Sequence, residues 1–282
     1  MKTAAEPTSL TPDWPLIGPG DPPPYTLANP SGRAPLLLVC DHASRGVPRV
    51  LRGLGLDEAA LSRHIAWDIG AENLTRALVQ HFDAPAVIAG YSRLLIDNNR
   101  ALDDATSIVE VSDRTPIPAN RQLAAADREL RVRCFFEPYH DAVAQRLEDF
   151  RRRAVVPAFL SIHSFTPVMN DTPRPWHVGV LWDRDPRIAV PLLERLTATG
   201  EVTVGDNLPY SGRHPADYTV ARHAERAGLP HVCIEVRQDL IDSPPGVARW
   251  SAILAAALTP ILTDPHLHRD WRKQPQGQDI DR

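Results

Sequence analysis

The feature that most constrains the fold is a short apolar run, Leu36 to Cys40, that changes abruptly into the polar pair Asp41 and His42. Such a run, closed by Gly46 and Pro48, is typical of a strand buried on both faces of a sheet. In open α/β sheets, ligands bind where strands end and loops begin. We therefore predict a functional site next to Asp41 and His42.

Further apolar runs alternate with helical patterns along the chain, which predicts one α/β domain with a mixed, mostly parallel sheet flanked by helices. The predicted strands cover residues 36–40, 85–90, 91–97, 154–164, 177–182, 201–207 and 229–240. The predicted helices cover residues 57–64, 68–82, 122–153, 187–199, 216–228 and 247–262. Asp68 stands at the N-cap position of the second helix, and Pro138 is expected to break or kink the third.

The termini differ in composition from the rest of the chain. Residues 1–34 are rich in Pro, Ser, Thr and Gly, so we expect an extended arm that packs through Trp14 and Tyr25. Residues 35–264 form the predicted catalytic domain, and residues 265–282 form a polar tail.

Composition excludes several classes of function. The net charge is −4, so no basic field indicates binding to nucleic acid or to an anionic membrane. Three cysteines without CxxC spacing suit a reducing compartment. We see neither a secretory signal nor an apolar stretch long enough to cross a bilayer. These features favour a cytoplasmic protein; they do not predict its oligomeric state.

Metal-competent groups follow several predicted strands. His42, His163 and one acid would supply the three ligands of a hydrolytic zinc site, which keeps one position open. Glu235 would be the base that takes a proton from water.

A second set of polar residues suits an anionic substrate. Arg100 presents a planar fork that matches a carboxylate, and Asn99 adds a neutral donor. Arg93 would stabilise an oxyanion on the attacked carbonyl.

Each candidate also has a purely structural interpretation. A histidine at a strand end is often only hydrogen-bonded. Glu235 lies in an apolar strand, where it would need a partner such as Arg237. Asp68 would need no metal if it caps a helix. Independently, Asn99 and Arg100 could simply cap a loop.

The assembled motifs resemble the N-formylglutamate amidohydrolase family. They are CDHASRGVP, HIAWDIGA, YSRLLIDNNR, SIHSF, NLPYSG and GLPHVCIEVRQDL, and they span about residues 35 to 245. This family is in turn similar to the zinc carboxypeptidases. The resemblance implies a phosphorylase/hydrolase-like fold and one bound Zn²⁺ ion.

The resemblance also implies a role for each candidate residue. His42 and His163 would bind zinc, and Glu235 would act first as base and then as acid. Arg93 would polarise the scissile carbonyl. The substrate α-carboxylate would be held by Asn99 and Arg100.

One position departs from the carboxypeptidase pattern. Three residues after the first histidine, where those enzymes carry a ligand glutamate, this chain has Arg45. The third ligand must then come from elsewhere. Asp68 is the first choice and Asp41 the alternative, and a weakened metal site is a third possibility.

The implied reaction is hydrolysis of N-formyl-L-glutamate to formate and glutamate. Two alternatives stay open. The loops over residues 101–120 and 166–176 differ in character from the strand-end motifs and could shape a pocket for another N-acyl amino acid or a peptide. Arg45 leaves room for a metal-free anion-binding protein on the same fold.

Overall fold

A computed structural model of the chain describes residues 14–213 and 218–269. It confirms an α/β domain built on a mixed, mostly parallel sheet of seven strands. The strands are β1 Tyr25–Ala28, β2 Leu36–Cys40, β3 Ala86–Ala89, β4 Val111–Ser112, β5 Thr115–Pro116, β6 Ala158–Phe165, β7 Val168–Met169, β8 Thr172–Pro173, β9 Val178–Leu181, β10 Val204–Asp206 and β11 His231–Arg237. The helices are α1 Glu58–Leu61, α2 Ala71–Phe82, α3 Ala125–Arg131, α4 Glu137–Arg152, α5 Pro186–Ala198, α6 Tyr218–Val220 and α7 Pro244–Leu262.

The order of strands in the main sheet is β1-β3-β2-β6-β11-β9-β10. Four neighbouring pairs are parallel: β3 with β2, β2 with β6, β6 with β11, and β9 with β10. The antiparallel pairs are β1 with β3 and β11 with β9. The remaining short strands form two separate hairpins, β4–β5 and β7–β8. Strands β2, β6 and β11 therefore send their carboxyl ends to the same edge.

Side chains of the central strands alternate between two cores, as the two-residue period of a strand requires. Leu36 and Leu38 of β2 belong to the core that contains α2, α5 and α7, whereas Leu37 belongs to the core beneath α4. This burial on both faces explains why β2 has an unbroken apolar sequence.

The predicted strand over residues 91–97 is wrong. This segment is a buried irregular stretch in which Leu95 N–H donates to Ser92 O at 3.0 Å and Asp97 N–H donates to Ser107 O at 2.8 Å. Leu94, Leu95 and Ile96 belong to a third apolar cluster, which includes Phe135. Burial away from the sheet produces the same apolar pattern as a strand.

The predicted helix over residues 122–153 consists of α3, a π-helical turn at Val132–Phe136, and α4. Pro138 lies in the first turn of α4, where its missing N–H is not needed. Of the predicted helix at 216–228, residues 216 and 217 lie outside the described part of the chain, and the rest contains α6 and a π-helical turn at Ala221–Glu225.

Both terminal segments contribute to the packing. Part of the predicted arm forms β1 at the edge of the sheet, and Trp14 packs against the third apolar cluster. Leu267 of the predicted tail is buried. Residues 1–13 and 270–282 lie outside the described part of the chain.

Helix α7 is long and apolar enough to cross a membrane by length and composition, so the expectation of no such stretch was wrong by that measure. Its buried residues Trp250, Leu254 and Leu258 pack into the core shared with α2. The apolar composition of α7 therefore has a structural explanation in the core.

Candidate active site

A cavity of about 630 Å³ lies at the carboxyl ends of β2, β6 and β11. The structure brings all seven predicted site residues to its lining, namely His42, Asp68, Arg93, Asn99, Arg100, His163 and Glu235. The topology explains this convergence, because parallel neighbouring strands end at one edge of the sheet.

The two histidines lie side by side. His42 is the second residue after β2 and His163 lies in β6, the neighbouring strand; their ring centroids are 5.0 Å apart. The Nδ1 atoms of both rings face the same oxygen, Oδ2 of Asp68, at 3.4 Å from His42 and 2.9 Å from His163. The three side chains form one compact group of buried donors.

The other nitrogen of each ring has its own carboxylate. Nε2 of His42 lies 2.7 Å from Oδ1 of Asp97, and Nε2 of His163 lies 3.1 Å from Oδ2 of Asp41. Asp41 therefore contacts His163 on the ring nitrogen that does not face Asp68. Of the two acids considered as third ligand, only Asp68 faces both Nδ1 atoms.

Asp68 does not cap α2, so the N-cap prediction was wrong. The N-cap is Gly70, with φ of 81°. A Cβ at Gly70 would lie 2.2 Å from the carbonyl oxygen of Ile241, so only glycine fits there. Asp68 instead accepts a hydrogen bond from the Ser164 backbone N–H at 3.2 Å, which holds its carboxylate next to His163.

With both imidazoles neutral, as metal binding requires, the cluster contains more buried acids than cations. Asp41, Asp68 and Asp97 are all buried, and Arg93 is the arginine that contacts two of them. Burial lowers the pKa of His163, but Asp41 and Asp68 outweigh it and raise that pKa well above its usual range. These carboxylates favour positive charge at this point, either a proton on each imidazole or a metal ion in place of those protons.

The residues present fit a divalent metal ion. One ligand atom from each of His42, Asp68 and His163 lies within 4.8 Å of the others. Two imidazoles and one carboxylate are a usual ligand set of a catalytic zinc site. The carboxylates on both Nε2 atoms match the arrangement that orients metal-binding histidines in proteins.

Arg93 borders this group. Its Nε and Nη2 donate to Oδ2 of Asp97 at 3.0 and 2.6 Å, and its Nη1 lies 3.6 Å from Oδ1 of Asp68. Burial raises the pKa of Asp97, but Arg93 and His42 outweigh it and hold that pKa well below its usual range. Arg93 is thus fixed beside Asp68 and at the cavity surface.

Asn99 and Arg100 line the cavity, and each also has a structural contact. Oδ1 of Asn99 accepts hydrogen bonds from the backbone N–H groups of Tyr218 and Thr219 at 3.0 and 2.9 Å. Arg100 donates to the Asn99 carbonyl oxygen at 2.9 Å. The side-chain oxygen of Asn99 thus anchors the start of α6.

Glu235 occupies the strand next to His163. The two residues are directly paired in the register of β11 and β6. Arg237, the alternative partner considered from the sequence, bonds to Asp239 at 2.8 Å instead. Glu235 thus faces the cavity beside the His42–Asp68–His163 group.

Arg45 points to a different partner. It forms an ion pair with Glu58 at 2.7 Å and also donates to Ser62. Arg45 at the usual position of a ligand glutamate was the observation that favoured a metal-free protein. In the structure Arg45 pairs with Glu58, and Asp68 completes the donor group in place of that glutamate.

No role was predicted for three residues that support the site, Tyr139, Thr219 and His140. Asp41 accepts hydrogen bonds from Tyr139 at 2.6 Å and from Thr219 at 3.0 Å. His140 and His223 form a stacked, buried pair behind Asn98. A signal was present for Asp97, because a charged residue next to buried apolar positions requires a partner.

The family model for N-formylglutamate amidohydrolase matches residues 34–242. The chain is similar to the solved structure of gene product Atu2144 from Agrobacterium tumefaciens, with 32% identity and a TM-score of 0.85 over 88% of this chain and 98% of that one. It also resembles in fold the N-formylglutamate amidohydrolase from Ralstonia eutropha JMP134, with 24% identity and a TM-score of 0.60 over 85% of this chain and 97% of that one. A search of curated proteins found no match.

Proposed function

The chain belongs to the N-formylglutamate amidohydrolase family, and from this we propose that it hydrolyses N-formyl-L-glutamate to formate and glutamate. The observation that carries the proposal is the buried group His42–Asp68–His163 next to Glu235, at the base of one cavity. The partner is thus a small molecule. We assign catalysis to residues 35–264, and a cytoplasmic location stays a prediction.

We propose that His42, Asp68 and His163 hold one Zn²⁺ ion. When bound, this ion supplies a Lewis acid that polarises the amide carbonyl and lowers the pKa of water. The donor set and the surplus of buried carboxylates support the assignment.

Glu235 is the proposed proton carrier. It accepts a proton from the water that attacks the formyl carbon, and it then donates this proton to the leaving nitrogen as the C–N bond breaks. Its position opposite His163 in the paired strands supports this role. Arg93 lies beside Asp68, where its guanidinium would stabilise the negative charge that develops on the carbonyl oxygen.

Arg100 and Asn99 are the proposed anchor of the substrate carboxylate. Both line the cavity, and a guanidinium binds a carboxylate in bidentate fashion. Because Oδ1 of Asn99 is bonded to α6, its amide N–H group is the part of the side chain suited to donate to substrate.

The substitution Glu235→Gln tests the proposal. The amide keeps the shape of the side chain but cannot carry the proton, so kcat should fall by about 10²–10⁴-fold while substrate binding persists. The control is Glu225→Gln, a change on the π-helical turn away from the cavity lining. Unchanged turnover in Glu235→Gln would remove Glu235 from the mechanism.

A further inference from the structure

The lining of the cavity is divided by charge. Among the described lining residues that precede residue 120, which we call the charged wall, are Asp68, Arg93, Asp97, Arg100 and Asp113. Among those that follow residue 160, Glu235 is the one residue of the Asp, Glu, Lys or Arg types. The other side chains there include six that are apolar or aromatic, which we call the apolar wall: Phe165, Met169, Leu181, Pro209, Tyr210 and Cys233.

The sheet topology places the two walls on opposite sides of the reacting centre. Strand β6, which carries His163, lies between β2 and β11 in the sheet. His42 and the loop after β3 are on the β2 side, whereas Leu181 and Cys233 come from β9 and β11. A substrate whose amide lies over β6 therefore extends toward both walls.

This division orients an N-acyl amino acid. The proposed carboxylate anchor, Arg100, belongs to the charged wall. With the amino acid part on that side and the amide carbon beside Glu235, the acyl group faces the apolar wall. A formyl group has no carbon beyond its carbonyl to place there, so the apolar wall exceeds what the formyl substrate needs.

The size and surroundings of the cavity agree with a larger acyl group. A cavity of about 630 Å³ is in the range that holds drug-sized ligands. Five of the seven exposed large apolar side chains in the described residues lie on segments that border it: Leu102, Val111, Val168, Leu208 and Tyr210. Exposed apolar side chains concentrated around the opening of one cavity are typical of a binding site for apolar ligands.

The apolar wall is held firmly in place. A Cβ at Gly179 would lie 2.3 Å from the carbonyl oxygen of Leu208, and one at Gly205 would lie 2.5 Å from the same oxygen. This close approach fixes the loop that carries Pro209 and Tyr210 against β9 and β10. Arg174 donates to the Tyr210 hydroxyl at 3.0 Å, which further limits the orientation of that ring.

From these observations we propose that the enzyme also hydrolyses N-acyl amino acids whose acyl group is a linear apolar chain longer than formyl, with the chain bound along the apolar wall. The inference rests on the proposed amidohydrolase function. The reaction is the same hydrolysis: water adds its oxygen to the acyl carbon, the C–N bond breaks, and the amine takes the proton. The products are a fatty or short-chain carboxylate and the free amino acid.

A series of N-acyl-L-glutamates with increasing acyl length tests whether longer acyl chains are hydrolysed. We would measure kcat/KM for N-formyl-, N-acetyl-, N-butanoyl- and N-hexanoyl-L-glutamate. We expect all four substrates to be hydrolysed, with kcat/KM rising about fourfold for each methylene that becomes buried. A loss of 100-fold or more at acetyl, with no recovery in the longer chains, would overturn the inference and leave the formyl activity intact.

Two conservative variants locate the acyl chain. Met169→Gln makes the apolar wall polar at nearly constant shape and should lower kcat/KM for the hexanoyl substrate about tenfold, with little effect on the formyl substrate. Val109→Thr, an isosteric change on the charged-wall side of the cavity, is the matched control and should leave the ratio of the two substrates unchanged. An equal effect of both variants on that ratio would contradict the assignment of the chain to the apolar wall.

Binding to the Glu235→Gln variant separates this inference from the proposed function. Calorimetry should show tighter binding of N-hexanoyl- than of N-formyl-L-glutamate, and equal or weaker binding overturns the acyl site. If the wild type hydrolyses the hexanoyl but not the formyl compound, the formyl proposal fails and the acyl site stands. Absence of both hydrolysis and binding for every compound overturns both.

Discussion

The two ring nitrogens of each site histidine have different tasks. Both Nδ1 atoms face Asp68, and the Nε2 atoms of His42 and His163 contact Asp97 and Asp41, respectively. A carboxylate on Nε2 fixes the ring orientation and keeps Nδ1 available as a metal ligand. Asp97 also bonds to Arg93, so one carboxylate positions the His42 imidazole and the Arg93 guanidinium together.

The orienting acids should therefore control metal affinity. In Asp97→Asn and in Asp41→Asn the side chain keeps its size but loses its charge, and the affinity for Zn²⁺ should fall about 10–100-fold. Competition with a chromophoric chelator measures this affinity directly. The control is Asp113→Asn, because Asp113 also lines the cavity but pairs with Arg63 at 2.7 Å. Wild-type affinity in both Asp97→Asn and Asp41→Asn would refute the orienting role.

At the scale of elements, a pair of histidines joins α4 to the π-helical turn after α6. Nδ1 of His140 lies 2.9 Å from Nε2 of His223, and Nε2 of His140 lies 2.9 Å from the carbonyl oxygen of Asn98. Burial lowers the pKa of His140 to about 3 and that of His223 to about 4. Both rings are neutral at pH 7, and the contact holds these elements behind Asn98.

This pair makes the folded state sensitive to acid. Between pH 6.5 and about 4 the unfolded chain binds protons at both histidines and the folded chain does not, so the free energy of unfolding falls as pH falls. The raised pKa values of His42 and His163 add no slope in this window, because both states are protonated there below pH 6.5.

Replacement of His223 should reduce the pH dependence of the free energy of unfolding. In His223→Gln the amide N–H can still donate to His140, but the titrating group is gone, so the loss of unfolding free energy between pH 6.5 and 4.5 should shrink by about 2 kcal/mol. Urea unfolding at several pH values measures this. His81→Gln, an exposed change on α2, is the control. If the unfolding free energy of His223→Gln depends on pH as it does in the wild type, the His140–His223 pair is not the source of the acid sensitivity.

The elements that sequence could not predict are those set by tertiary contacts. The prediction of a strand over residues 91–97 failed because apolar residues buried in the third apolar cluster have the same sequence pattern as a strand. The N-cap prediction for Asp68 failed because local spacing gives no information on His163, which lies 95 positions later in the chain. Only the fold shows that this aspartate faces both histidines.

At the scale of the whole molecule, the order of apolar runs was enough to predict one mixed α/β domain. Their polar ends predicted where the site lies, because parallel strands bring Asp41–His42, His163 and Glu235 to one edge of the sheet. The division of the cavity into a charged and an apolar wall was beyond prediction. The walls are built from strand ends and from several separate loops, and the sequence of each segment alone does not show which of its side chains face the cavity.

The central claim is that this cavity is a metal-dependent amidohydrolase site, and its most direct test is formate release from N-formyl-L-glutamate. The release is measured on the protein as purified, after chelation, and after zinc is added back. We expect activity that chelation abolishes and zinc restores. Formate release that persists in protein shown to contain no metal, or no release in any metal state, would contradict it.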